Sequence, residues 1–75
     1  MSYKYQRELN QLPDKIKKAQ KDINEVSALL SDGDYYSRDP DGFHETTKKL
    51  TEFQVKLERY ENRWLELEEM KENSL

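Results

Sequence analysis

The stretch "SDGDYYSRDPDG", Ser31 to Gly42, decides how this chain folds. It contains four aspartates, two glycines, a proline and two adjacent tyrosines. Gly33 is placed to take the left-handed conformation that ends many helices. Asp39 followed by Pro40 reads as an N-cap and a first helical position, and Asp41 adds negative charge where a helix dipole is positive. A stop signal and a start signal therefore lie a few residues apart, and so short a connection predicts two antiparallel helices.

The sequence on either side supports this. Before the turn, Leu9, Leu12, Ile16, Ala19, Ile23, Val26 and Leu30 recur at alternating spacings of three and four. After it, Phe43, Thr46, Leu50, Phe53, Leu57, Tyr60, Trp64 and Leu67 do the same. These are a and d positions of two heptad runs. In an antiparallel pair, one register satisfies every layer, with residue numbers summing to about 76. It sets Leu30 against Thr46, Ala19 against Leu57, Leu12 against Trp64 and Leu9 against Leu67. Thr46 is the weak position.

The expected fold is all-α: an antiparallel two-helix coiled-coil hairpin with a short N-terminal helical segment kinked at Pro13. As one domain over 1–75 it divides into an N-terminal segment (1–12), a first helix (13–30), a turn (31–39) and a second helix (40–72). Pro13 removes a backbone donor and crowds the carbonyl of Leu9, so a kink or a separate short helix is expected there. Tyr3 and Tyr5 are placed to cover the seam near Trp64 and Leu67, and at least one of Tyr35 and Tyr36 to fold over Leu30 and Phe43.

Composition narrows the function. With 75 residues, 33% hydrophobic and 39% charged, the chain suits a seam and is too short for a deep catalytic pocket. There is no cysteine, hence neither a disulfide nor a thiolate zinc site, which fits a reducing cytoplasm. No apolar run reaches membrane-spanning length, and "MSYKYQREL" is too charged and aromatic for a signal peptide. A calcium loop starting at Asp32 or at Asp39 fails: the first register puts Tyr36, Ser37 and Phe43 at positions needing an oxygen ligand, glycine and glutamate, and the second fails at Phe43 and His44. His44 is the single histidine and falls outward. Ser2, Ser27, Ser31, Ser37 and Ser74 lack a nucleophile turn. Two glycines make no phosphate loop. The chain is read as no enzyme, with no cofactor of its own.

Surface charge is the remaining signal. The net charge is −3, so attraction to nucleic acid has to be local. The heptad phase puts Lys15, Asp22, Lys49, Lys56 and Arg63 at g positions along one edge, with Lys18 and Arg59 beside it. The opposite edge, with Gln20, Ser27, Thr47, Gln54, Glu61 and Glu68, is neutral to acidic. In the register above Asp22 can pair with Lys56, whereas Lys15 faces Arg63, a repulsion that an approaching phosphate would relieve. The alternative is a solvated face damped by Glu25, Glu52 and Glu66. Leu29, Val55, Leu65 and Met70 lie off the seam, open to docking or weak self-association.

Two stretches carry a family resemblance. "SYKYQRELNQLP", Ser2 to Pro13, resembles the Ser-Tyr-Lys-x-Gln-Arg-Glu-Leu-x-x-Leu-Pro opening of the C-terminal domain of Uup-type ABC-F ATPases. "ENRWLELEEMKE", Glu61 to Glu72, is similar to that family's closing Glu-Arg-Trp-x-Glu-Leu-Glu segment. The resemblance implies a C-terminal appendage, excised with a new Met1, of a cytoplasmic protein with two ATP-binding cassettes and no membrane domain. ATP and Mg would belong to those cassettes, which would be its partners together with DNA or RNA, the ribosome being the setting in which ABC-F proteins act. Lys4, Arg7 and Arg63 match basic residues of the family. The candidate nucleic-acid contacts are thus Lys4, Arg7, Lys15, Lys18, Lys56, Arg59 and Arg63. The rival is a structural hairpin that docks on the parent ATPase or on ribosomal protein. The overall acidity of this copy departs from a strongly DNA-binding domain.

Overall fold

A computed structural model describes residues 2–73. It contains three helices, α1 (Tyr3–Leu30), α2 (Tyr35–Arg38) and α3 (Pro40–Asn73). The two long helices run antiparallel as a rod 57 × 16 × 14 Å in extent. All fifteen a and d positions of the two heptad runs are buried or half-buried. The seam is deepest at Leu9, Leu12, Ala19, Val26, Thr46 and Leu67, and Leu67 is fully enclosed. Lys15 lies over Tyr60, and Leu9 and Leu12 share a cluster with Leu67 and Trp64, in keeping with the register that sets residue numbers to sum near 76.

Each helix end follows from its own residues. Ser2 caps α1, its hydroxyl accepting from the Tyr5 N–H at 3.4 Å. Asp39 caps α3, its Oδ1 accepting from the Gly42 N–H at 3.0 Å, and Pro40 takes the first helical position, where a missing donor costs nothing. A Cβ on Gly42 would lie 2.1 Å from an oxygen of the Asp39 carboxylate as it is now placed, so a larger residue there would oblige the Asp39 side chain to shift.

One expectation is corrected and another narrowed. The end of α1 does not use Gly33, since no glycine among the described residues has a positive φ. Ser31 closes the helix instead: its N–H donates to the Ser27 carbonyl at 3.0 Å and its hydroxyl to the Ala28 carbonyl at 2.8 Å. Asp32 then turns the chain, accepting from the Asp34 N–H at 3.1 Å. Of the kink or separate short helix expected at Pro13, the separate helix is absent, and α1 runs through the proline as one element. The proline deletes one hydrogen bond, but Leu9 and Leu12 before it and Ala19 after it are anchored in the same seam. The turn itself holds the one-turn α2, across which Arg38 pairs with Asp32.

Both turn tyrosines fold onto α3. The ring centroids of Tyr35 and Tyr36 lie 5.8 and 5.4 Å from that of Phe43, both edge-on. Tyr35 is half-buried, and its hydroxyl meets the Thr46 hydroxyl at 2.9 Å. The weak seam position thus holds a threonine because a tyrosine from the turn reaches it. Tyr36 stays 53% exposed. At the other end Tyr5, the next d position before Leu12, packs on the Leu9–Leu12–Leu67 cluster, whereas Tyr3 is 80% exposed and does not cover the seam as expected.

Candidate nucleic-acid interface

Four of the seven candidate basic residues converge on one edge. Lys15, Lys18 and Lys56 line a small recess between α1 and α3, together with Ala19, Asp22 and Tyr60. Lys56 and Arg59 line the neighbouring shallow groove on α3 with Thr51, Glu52 and Val55. Helical periodicity explains this. Lys15 and Lys56 are g positions that flank the seam, and Lys18 and Arg59, three residues further along each helix, stand beside them.

Two expected pairings are replaced. Asp22 pairs with Lys18 on its own helix at 3.0 Å, leaving Lys56 without an ion pair among the described residues. The i to i+4 geometry is available without spanning the seam. Lys15 does not face Arg63 in repulsion; its ammonium sits 5.9 Å from the centre of the Tyr60 ring.

Arg63 instead closes the open end of the hairpin. Its Nε donates to Glu8 Oε2 at 2.7 Å, its Nη2 to Glu8 Oε1 at 3.0 Å and its Nη1 to Glu66 Oε2 at 2.9 Å. The guanidinium carbon also lies 5.7 Å from the centre of the Tyr5 ring. The Arg63 side chain is 35% exposed and that of Glu8 33%. The hydrogen bonds from Arg63 hold the Glu8 carboxyl below its ordinary range against a partial loss of water, and the charges of Arg63, Lys15 and Lys4 add to the effect. Glu8 and Glu66 in turn push Arg63 further up. Arg63 therefore has three of its five N–H donors engaged by two carboxylates. Lys4 lies near this clasp, while Arg7 is exposed and stands apart from the lysine recess; neither has an ion-pair partner among the described residues.

The clasp joins the first and last thirds of the chain. Tyr5, Glu8, Leu9 and Leu12 belong to the opening stretch, and Arg63, Trp64, Glu66 and Leu67 to the closing one; they meet in one ion-paired, apolar node. The model of the ABC transporter C-terminal domain family matches residues 1–69, which takes in the whole opening stretch and the closing one as far as Glu69. The chain belongs to that family. No curated protein and no solved structure matches it significantly.

As an ABC transporter C-terminal domain, the hairpin is an accessory domain of an ABC protein. No helix among its described residues is long and apolar enough to cross a membrane, and none of those residues forms a group of three or more His, Cys, Asp or Glu able to hold a metal. His44 is exposed and lies edge-on to Tyr36 and Phe43, at 5.8 and 6.1 Å. Ser74 lies outside the described residues. Leu29, Val55, Leu65 and Met70 are exposed, as their off-seam positions require. The Glu8–Arg63 pair was missed in the sequence. Its signal was there, since Glu8 is also a g position, but a straight projection across the seam pairs Arg63 with Lys15. Arg63 reaches Glu8 by leaning along its own helix toward Glu66.

Proposed function

We propose that this domain binds nucleic acid through its lysine edge, as the C-terminal accessory domain of a Uup-type ABC-F ATPase in the cytoplasm. The parent's cassettes would bind ATP and Mg and hydrolyse the nucleotide; the hairpin adds a contact to DNA or ribosomal RNA. The convergence of Lys15, Lys18, Lys56 and Arg59 from two helices on one edge carries the reading. Phosphate contacts supply the affinity, and nothing here selects a base sequence. Lys4, near the clasp, would add a basic group toward the open end, while Arg7, standing apart from the recess, would make a separate contact. Arg63 supports the lysine edge by holding the helices together, and its engaged donors make it the weakest candidate for direct contact.

A titration of the chain against duplex DNA and structured RNA across a salt series tests this. Binding should weaken steeply from low to moderate salt. Lys15→Gln, Lys56→Gln and Arg59→Gln combined should abolish it with the helical signal intact. No binding to either at low salt defeats the reading for the isolated domain.

The second reading is a protein-docking hairpin. Tyr36, 53% exposed at the tip, and Leu29, 54% exposed near the end of α1, favour it. Binding that is insensitive to salt and lost in Tyr36→Ala would select it.

A further inference from the structure

Only one a or d position of α1 carries a side chain as small as a methyl group. Ala19 is buried, and its partner in the register is the half-buried Leu57. The volume that a larger residue would fill is left open on the lysine edge, as a notch of about 60 Å³ lined by Lys15, Lys18, Ala19, Asp22, Lys56 and Tyr60. One water occupies roughly 10–15 Å³ of such space, so the notch takes a group of a few heavy atoms and excludes a nucleobase.

Its chemistry suits an anion of that size. Three lysines meet a single carboxylate, and lysine offers three rotatable donors and no acceptor. Lys18 is held by Asp22 at 3.0 Å, and the Lys15 ammonium rests 5.9 Å from the centre of the Tyr60 ring. Lys56 has no ion pair among the described residues.

We propose that this notch is the anchor of the lysine edge: it seats one backbone phosphate between Lys15, Lys18 and Lys56. Asp22 is the built-in competitor, occupying Lys18 until the phosphate takes its place. This rests on the nucleic-acid reading above and adds to it a defined seat and a residue that opposes binding. Lys17 and Lys21, on the outward face of α1 with Asp14 and Glu25, lie outside the notch.

The test is a fluorescence-anisotropy titration of the full chain with a short DNA duplex and a structured RNA at several salt concentrations, with helical content checked for every variant. Lys15→Gln and Lys56→Gln should each weaken binding about fivefold or more and lower the salt slope by about 0.9, the loss of one duplex phosphate contact. Lys17→Gln and Lys21→Gln remove the same charge from the outward face and should change affinity less than about twofold. Asp22→Asn should tighten binding. If the outward variants weaken binding as much as the notch variants, or if Asp22→Asn leaves it unchanged or weaker, the anchor is overturned while nucleic-acid binding stands. If the unaltered chain binds neither DNA nor RNA at low salt, both fall.

Discussion

Arg63 Nε and Glu8 Oε2 lie 2.7 Å apart although 55 residues separate them in sequence. The pair bridges the two helices at the hairpin's open end, where no loop holds them together. A second bond, from Nη2 to Oε1 at 3.0 Å, makes the contact bidentate, which fixes geometry better than a single ammonium contact can.

This pair predicts an acid-sensitive hairpin. Glu8 has a lowered pKa in the folded state, so its contribution is present above its ordinary value of 4.5 and is lost as pH falls through the lowered folded value. Thermal melts between about pH 5 and pH 2 should show a decline in stability that is shallower in Glu8→Gln, which has no carboxyl to protonate. At pH 7 Glu8→Gln should melt below the unaltered chain. Parallel acid limbs in the two proteins would show that the pair does not couple folding to pH.

The apolar side of the same node should carry more stability than the ion pair. Leu67 is 0% exposed, and Leu67→Ala should cost about 2–5 kcal/mol from lost burial and the cavity left behind. A domain of 75 residues has roughly 4–11 kcal/mol in total, so this one change brings the hairpin close to unfolding. Leu65, two residues away and 53% exposed, provides the control, with Leu65→Ala expected within about 0.5 kcal/mol. Urea denaturation of the two variants measures the contrast; equal losses would place the core elsewhere.

How far the fold could be read from sequence follows from which interactions are periodic. The seam was legible because burial repeats with the heptad, and all positions from Leu9 to Leu30 and from Phe43 to Leu67 that carry the phase are covered. The α3 cap was legible because Asp39-Pro40 acts within one turn. The end of α1 was not: Ser31 and Asp32 satisfy the last carbonyls with their own hydrogen bonds, which removes the need for a left-handed Gly33. On the candidate site, the heptad phase put the lysines on one edge but not their partners. Asp22 chose Lys18 over Lys56, and Arg63 chose Glu8 over a clash with Lys15, because long side chains reach a full turn along a helix. Nor could any pattern reveal that Tyr35 completes the Thr46 layer, since that contact depends on the fold of α2.

The Tyr35–Thr46 contact should behave as a coupled pair. Thr46 is 8% exposed, and its hydroxyl meets that of Tyr35 at 2.9 Å. Tyr35→Phe and Thr46→Val should each cost about 1 kcal/mol, since each leaves a polar partner unmatched. The double variant removes both hydroxyls and should cost less than the sum by about 0.5 kcal/mol or more. Additive losses in a denaturation cycle would mean that the two hydroxyls act independently and that Tyr35 is held by its edge-on contact with Phe43.

Pro13 offers the opposite kind of test, a substitution that should stabilise. It is exposed and lies well inside α1, where it deprives the Leu9 carbonyl of its usual donor. Proline costs about 3 kcal/mol relative to alanine in a helix interior, while its stiffening of the unfolded chain returns roughly 0.4–1 kcal/mol. The first effect is larger, so Pro13→Ala should raise stability by about 2 kcal/mol, read as a higher urea midpoint with an unchanged slope. Leu9 and Leu12 on one side and Ala19 on the other are already seated against α3, so the restored hydrogen bond requires no change of register. A lower midpoint would show that the local geometry imposed by proline is what lets Leu9 and Leu12 reach Leu67, and that straightening α1 pulls the clasp at Glu8 and Arg63 apart.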